Sequence, residues 1–182
     1  MIALIAACWS QYPGVIMDVD REMPELRALD SYYRGQGGRL WTAQAGIVQA
    51  GIVQAGIGQA GIGQAGIAQA GIAESGTALV GMIAVRPIEP PSWEICRVYV
   101  DPERHGLGLG HALLDRAEGY AAAAGARRLA LWSDTRFHRA HRFYQKRGYA
   151  RVGPVRVLND LSNSQEFGFV KLVDGSTVDP SG

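Results

Sequence analysis

The chain has 182 residues, 47% hydrophobic and 19% charged, with a formal net charge of +1; this length encloses one hydrophobic core and predicts a single domain over 1–172 with a flexible tail at 173–182. The near-neutral charge gives no global field for nucleic acid or an anionic membrane, and no apolar run reaches the about 18 residues of a membrane span. Two cysteines, Cys8 and Cys96, cannot build a disulfide framework, and no Cys/His spacing forms a metal site.

From the N-terminus, Ile5-Ala6-Ala7-Cys8 has the outline of a lipoprotein cleavage box, but the basic n-region and longer apolar stretch of a secretory signal are missing. A reducing, cytoplasmic setting is expected instead. Ile2–Trp9 and Asp20–Tyr33 read as helices. In the second, Met23, Leu26, Leu29 and Tyr33 recur at helical spacing, with Pro24 placed near the start. Arg39–Ala43 and Thr77–Val85 read as strands, with Glu74-Ser75-Gly76 as turn residues before the second.

Between them, Gln44–Ala73 repeats the pentad Gln-Ala-Gly-Ile-x six times in tandem. Glycine at every fifth position opposes a helix by about 1 kcal/mol each relative to alanine. A period of five also misses the strand period of two and the helix period of 3.6. The repeat is expected to be irregular; the other reading is an extended hairpin or one coil of a pentapeptide β-helix, for which six uncapped units are few. An insertion between two antiparallel strands is tolerated thermodynamically.

Downstream, Trp93–Val100 reads as a strand, Gly108–Ala124 as a helix and Arg127–Trp132 as a strand. Arg136–Arg147 follows as a helix, then Tyr149–Leu158 and Phe167–Leu172 as strands. The two strands around the crossover helix should be parallel neighbours. Leu113, Leu114, Ala117, Tyr120, Ala121 and Ala124 share one helix face. Three alternating glycines, Gly106, Gly108 and Gly110, stand just before and within the helix start. There they let the backbone approach a ligand and turn unpaired N–H groups toward a phosphate. A Rossmann fingerprint fails, because the sixth residue counted from Gly106 as the first is His111, and from Gly108 it is Leu113; no P-loop lysine follows.

The segment Trp93–Gly153 resembles the conserved half of GNAT acetyltransferases. The resemblance rests on Glu94-Ile95-Cys96-Arg97-Val98-Tyr99-Val100, then His105-Gly106-Leu107-Gly108-Leu109-Gly110, then Ala140-His141-Arg142-Phe143-Tyr144-Gln145-Lys146-Arg147-Gly148-Tyr149. It implies an α/β (α+β) fold with a mixed, mostly antiparallel central sheet flanked by helices, splayed where Trp93–Val100 meets Arg127–Trp132. It also implies acetyl transfer from acetyl-CoA to a primary amine, on a small molecule or a peptide, by direct attack in a ternary complex. The pyrophosphate would lie against Arg104, His105, Gly106, Leu107, Gly108, Leu109, Gly110 and His111, and the pantetheine arm along Val98, Tyr99 and Val100. Two departures stand out. His105 replaces the usual Arg or Gln, and no strand precedes the first helix, so the family's first strand is missing. An exposed sheet edge would follow, with reduced stability or a homodimer.

By the same resemblance Tyr144 is the candidate general acid for the departing thiolate; its other reading is a core aromatic. Glu94 is the candidate base for the amine; its other reading is a strand carboxylate paired with an arginine. Asp18, Asp20 and Glu22 are alternatives on the acceptor side. Arg136, His138, Arg139 and Arg142 form a basic face, either solvated or touching a cofactor phosphate. An acyl-CoA-binding regulator or decayed copy with little catalysis is the alternative function, and a repeat-based interaction module a third.

Overall fold

The computed structural model describes residues 1–46, 67–69 and 77–174. Three short helices open the chain: α1 (Ile2–Trp9), α2 (Val19–Glu22) and α3 (Leu29–Gly35). A single helix over Asp20–Tyr33 was the expectation, and the structure corrects it. Pro24 lacks the N–H that a helix continuing through it would need, and Met23 before it adopts φ −141°. Pro24–Arg27 therefore forms a 3₁₀ turn between α2 and α3. Asp18 caps α2 by accepting from the Arg21 N–H at 2.9 Å.

Strands β1 (Arg39–Gly46), β2 (Ile67–Gln69), β3 (Thr77–Pro87) and β4 (Ser92–Val100) follow. Then come α4 (Leu109–Ala123), β5 (Arg128–Asp134), α5 (His138–Lys146), β6 (Ala150–Val157) and β7 (Gln165–Leu172). The sheet order is β2-β1-β3-β4-β5-β7-β6. Every neighbouring pair is antiparallel except β4 with β5, which is parallel, as the crossover through α4 requires.

Two apolar layers cover the sheet. Leu113, Leu114, Ala117 and Ala121 of α4 pack with Tyr144 and Tyr149 against one face. Ala124, expected on the same helix face, is exposed, since it lies past the last helical residue. On the opposite face, Leu4, Ile5, Leu26, Leu29 and Tyr33 pack against Leu40, Met82 and Ala84.

The expected missing first strand and bare edge need correction. β1 is paired on both sides, to β3 along its length and to β2 through Trp41↔Gln69, Thr42↔Ala68 and Ala43↔Ile67. A segment of the repeat thus occupies the outer position of the sheet, and β1 itself runs three residues into the repeat. The edge argument for a homodimer loses its basis over Trp41–Ala43. The remainder of the repeat, and the tail beyond Asp174, lie outside the described residues.

Candidate active site

Strand β4 changes phase in the middle. On its β3 side, Met82 pairs with Tyr99 and Ala84 with Cys96, so Arg97 and Val98 face the single residue Ile83. This is a β-bulge, and Arg97 sits in it at φ 53°. A left-handed conformation costs a non-glycine residue on the order of 1–3 kcal/mol, and such positions gather at functional sites. The bulge sets which side chains share a face. Ile95, Val98 and Val100 join the α4 layer, whereas Cys96 and Tyr99 join the α1–α3 layer.

On the other side, β4 pairs with β5 only from Ser92↔Arg128 to Glu94↔Ala130. Beyond Glu94 the two strands part, as expected, and β5 continues to pair with β7. A cavity of about 730 Å³ occupies this splay.

At one end of the cavity lies the glycine turn. After the short 3₁₀ turn Pro102–Arg104, Gly106 and Gly108 take φ +83° and +80°, a region that glycine enters without a steric penalty. Gly108 precedes α4 and carries no side chain to cap it. The first bond of α4 runs from the Ala112 N–H to the Gly108 carbonyl, so the N–H groups of Leu109, Gly110 and His111 precede the helix ladder. They add to the positive end of a 15-residue helix dipole. A Cβ on Gly106 or Gly108 would meet nothing within 4 Å, so the space in front of the turn is open. These features fit a pyrophosphate.

Beside the turn, His105 Nε2 lies 3.2 Å from the Val100 carbonyl, and its Nδ1 is buried without a partner. Burial and the nearby Arg139 guanidinium hold this imidazole below its ordinary pKa. Cys8 Sγ also donates to the Val100 carbonyl, at 3.3 Å. The Val100 carbonyl is thus engaged by two side chains, while Val98, Tyr99 and Val100 all line the cavity. Leu107 is 47% exposed and does not line the cavity, whereas Arg104, Leu109, Gly110 and His111 do. His111 is exposed on the first turn of α4 and stacks edge-on against Phe143, centroids 5.0 Å apart.

Tyr144 also lines the cavity, from α5, among Phe143, Tyr149 and Phe169. Burial raises its phenol pKa, with Tyr99 and Cys96 adding to the effect, so the proton stays on the oxygen at neutral pH. The core reading and the cavity reading are compatible here, since the ring is 5% exposed and packed while its residue reaches the cavity.

Glu94 lines the cavity at the point where the strands part, and it is engaged. Its cross-strand partner is Arg86, which donates from Nε at 2.8 Å and from the terminal nitrogen at 2.6 Å to the same carboxylate oxygen. Arg86 also donates to Gln36 at 2.6 Å. Of the other acidic candidates, Asp18 is spent on its cap and Asp20 on Arg27. Glu22 reaches the cavity and accepts from the Leu161 N–H at 2.6 Å.

That last contact ties the α1–α2 segment to the β6–β7 connection. Ser162 reinforces it by accepting from the Ile16 N–H at 2.8 Å, and Arg136 adds a bond to the Gly14 carbonyl at 3.0 Å. Arg136 also grips Asp134 at 2.6 Å, so it is structural. Arg139 alone of the expected basic face lines the cavity, while His138 and Arg142 are exposed to solvent.

The residues that sequence reasoning missed line the cavity on its α1–α3 side. Arg97 pairs with Glu25 in a largely buried contact, side chains 20% and 18% exposed, and lies beside Tyr33 and Tyr99. Trp9 Nε1 donates to the Tyr99 hydroxyl at 3.2 Å. Their only signal was Arg97, the one basic residue of β4. Burial pushes the thiols of Cys8 and Cys96 up, to about 11 and about 12, so neither is a nucleophile at neutral pH. Among the described residues no group of His, Cys, Asp and Glu could hold a metal ion, and no helix is long and apolar enough to cross a membrane.

Solved acetyltransferases share this overall fold. An acetyltransferase from Streptococcus agalactiae 2603 superposes with a TM-score of 0.64 at 18% identity, over 94% of this chain and 88% of that one. A GNAT-family acetyltransferase from Staphylococcus aureus Mu50 gives 0.66 at 17% identity, over 94% and 90%. Both likenesses concern the fold. The Acetyltransferase (GNAT) family profile matches residues 59–149, half of the chain, and the chain belongs to that family. An uncharacterized N-acetyltransferase of Methanocaldococcus jannaschii is 38% identical over 63 residues, 35% of this chain. The match spans 28% of that relative's length.

Proposed function

We propose that the protein is an acetyl-CoA-dependent N-acetyltransferase that acylates a primary amine, on a small molecule or a peptide, by direct attack within a ternary complex. The observation that carries this reading is one cavity joining the glycine turn at the start of α4 to the Tyr144 side chain through the β4–β5 splay. When bound, acetyl-CoA supplies the activated thioester carbonyl. The backbone N–H groups of Gly108–His111 hold its pyrophosphate, with Arg104 and Arg139 as the nearby cations. Val98 presents strand backbone to the pantetheine arm. Tyr144 keeps a proton for the departing thiolate, and Glu94 or Glu22 takes the proton of the attacking amine. A reducing cytoplasmic setting belongs to the same reading.

The Arg86–Glu94 pair favours one alternative, an acyl-CoA-binding regulator with little catalysis, because the expected base is held by a guanidinium. The two readings separate in a thiol-release assay with acetyl-CoA and a panel of polyamines, amino acids, aminoglycosides and peptides. Amine-dependent release of CoA with a mass gain of one acetyl group on the amine supports the enzyme. Tight acetyl-CoA binding without transfer to any amine supports the regulator.

A further inference from the structure

The phenol of Tyr99 is left over from the site just described. Val98 and Val100 face the α4 layer, but the bulge at Arg97 turns Tyr99 to the other face of β4, where it lines the same cavity. There two groups that only donate hydrogen bonds surround its oxygen. The Trp9 indole N–H points at it from 3.2 Å, and the Arg97 guanidinium lies beside it. An indole N–H and a guanidinium have no acceptor lone pair. The hydrogen of Tyr99 therefore cannot be given to either neighbour and has to be directed elsewhere. Cys8, the next polar neighbour, spends its thiol hydrogen on the Val100 carbonyl.

We propose that the Tyr99 hydroxyl is a second hydrogen-bond donor of the site, aimed by Trp9 and Arg97 at the negative charge that develops on the thioester during acyl transfer. The proposal rests on the acetyltransferase reading above. The two phenols of the cavity differ in surroundings. Tyr144 is packed among aromatic rings, with no cation among the groups that shift it. Tyr99 is partly buried, and burial raises its pKa as well, but Arg97 and Trp9 offset part of that rise. The cation makes Tyr99 the stronger donor per hydrogen bond, and preorganised donors in a dry site are worth more than in water. The bulge puts Tyr99 on the face of Cys96, toward α1–α3, where Glu25 anchors the Arg97 guanidinium.

The test compares wild type, Tyr99→Phe and Trp9→Phe in transfer to an amine that wild type acetylates, with acetyl-CoA titrated calorimetrically into each. Tyr99→Phe should lower kcat about 10²–10³-fold, as loss of one such donor does. Acetyl-CoA affinity and both KM values should stay within about twofold, because the missing hydrogen bond acts on the charge that forms in the reaction. Trp9→Phe removes the aiming N–H together with part of the ring and leaves the Tyr99 hydroxyl in place, so a smaller fall in kcat is expected. Transfer by Tyr99→Phe at the wild-type kcat would overturn this role and leave the enzyme reading standing. A fall in kcat matched by lost acetyl-CoA affinity and a lower melting temperature in both variants would also overturn it, in favour of packing. A wild type that binds acetyl-CoA and transfers to no amine would overturn the enzyme reading and this role together.

Discussion

The two walls of the cavity are built by different means. The wall proposed for the cofactor runs through consecutive sequence, from β4 through the glycine turn to α4, then β5 and α5, and the groups proposed to bind are backbone N–H. The wall proposed for the acceptor is assembled from side chains far apart in the chain. Trp9 meets Tyr99 across 90 positions, Arg97 meets Glu25 across 72, and Glu22 meets the Leu161 N–H across 139. A wall of backbone needs only local geometry, which glycine placement and a helix start specify. A wall of side chains needs the whole fold in place first. The first wall suits a shared donor, the second a particular acceptor.

The largest effect that can break this division is expected at Tyr144. Tyr144→Phe removes one oxygen and should lower kcat by about 10²–10⁴, the usual range for a general acid, with acetyl-CoA affinity unchanged. Steady-state rates beside a binding titration check it, and a change in affinity without a change in kcat would make Tyr144 a packing residue only. A smaller effect is expected at Arg97. Arg97→Gly keeps the left-handed backbone that the bulge needs while stranding Glu25, so the fold should lose about 1–2 kcal/mol net of relieved strain. The acceptor KM should rise while acetyl-CoA affinity holds. If affinity for acetyl-CoA fell as well, the two walls would not be separable.

The smallest effect is on stability against pH. Burial lowers the pKa of His105 and His141 below the ordinary 6.5, so the folded chain binds fewer protons than the unfolded one in that region. Their contribution is complete above pH about 6.5 and is lost as pH falls toward the folded values. Asp134 is lowered too: burial opposes this, but the Arg136 hydrogen bonds outweigh it, and its contribution is lost only at still lower pH. Melting temperature should therefore decline from pH 7 to pH 5 and decline further below pH 4. A rise over the first interval would mean that the imidazoles gain a proton on folding.

The same division explains what the residues disclosed before folding. The parallel pairing of β4 and β5 was legible because a helix with one apolar face joins them, and the open turn before it because Gly106, Gly108 and Gly110 sit at fixed offsets from the helix start; the splay followed from the family resemblance. The break at Pro24 was misjudged because helical spacing of Met23, Leu26 and Leu29 survives a 3₁₀ turn that still buries Leu26. The bulge at Arg97 left no local mark, since a single extra residue in one strand shows only against the register of its partner. The engagement of Glu94 was half legible: a carboxylate on a strand implies a cross-strand partner, but which residue lies opposite depends on the β3–β4 register. The pairing of Ile67–Gln69 with β1 was hidden for the opposite reason, because six near-identical pentads offer no preferred register.

The central claim is that the turn before α4 holds the pyrophosphate of acetyl-CoA. Calorimetric titration of acetyl-CoA into wild type and Gly110→Glu tests it most directly. At Gly110 a Cβ has ordinary van der Waals contact with the Phe143 ring at 3.6 Å, and a carboxylate in a first helical turn favours the helix, so the variant should fold. Binding in the micromolar range by wild type, weakened at least about 100-fold in the variant, is the predicted result, as a negative charge set against the phosphates costs several kcal/mol. Equal affinity in the two folded proteins would contradict the account.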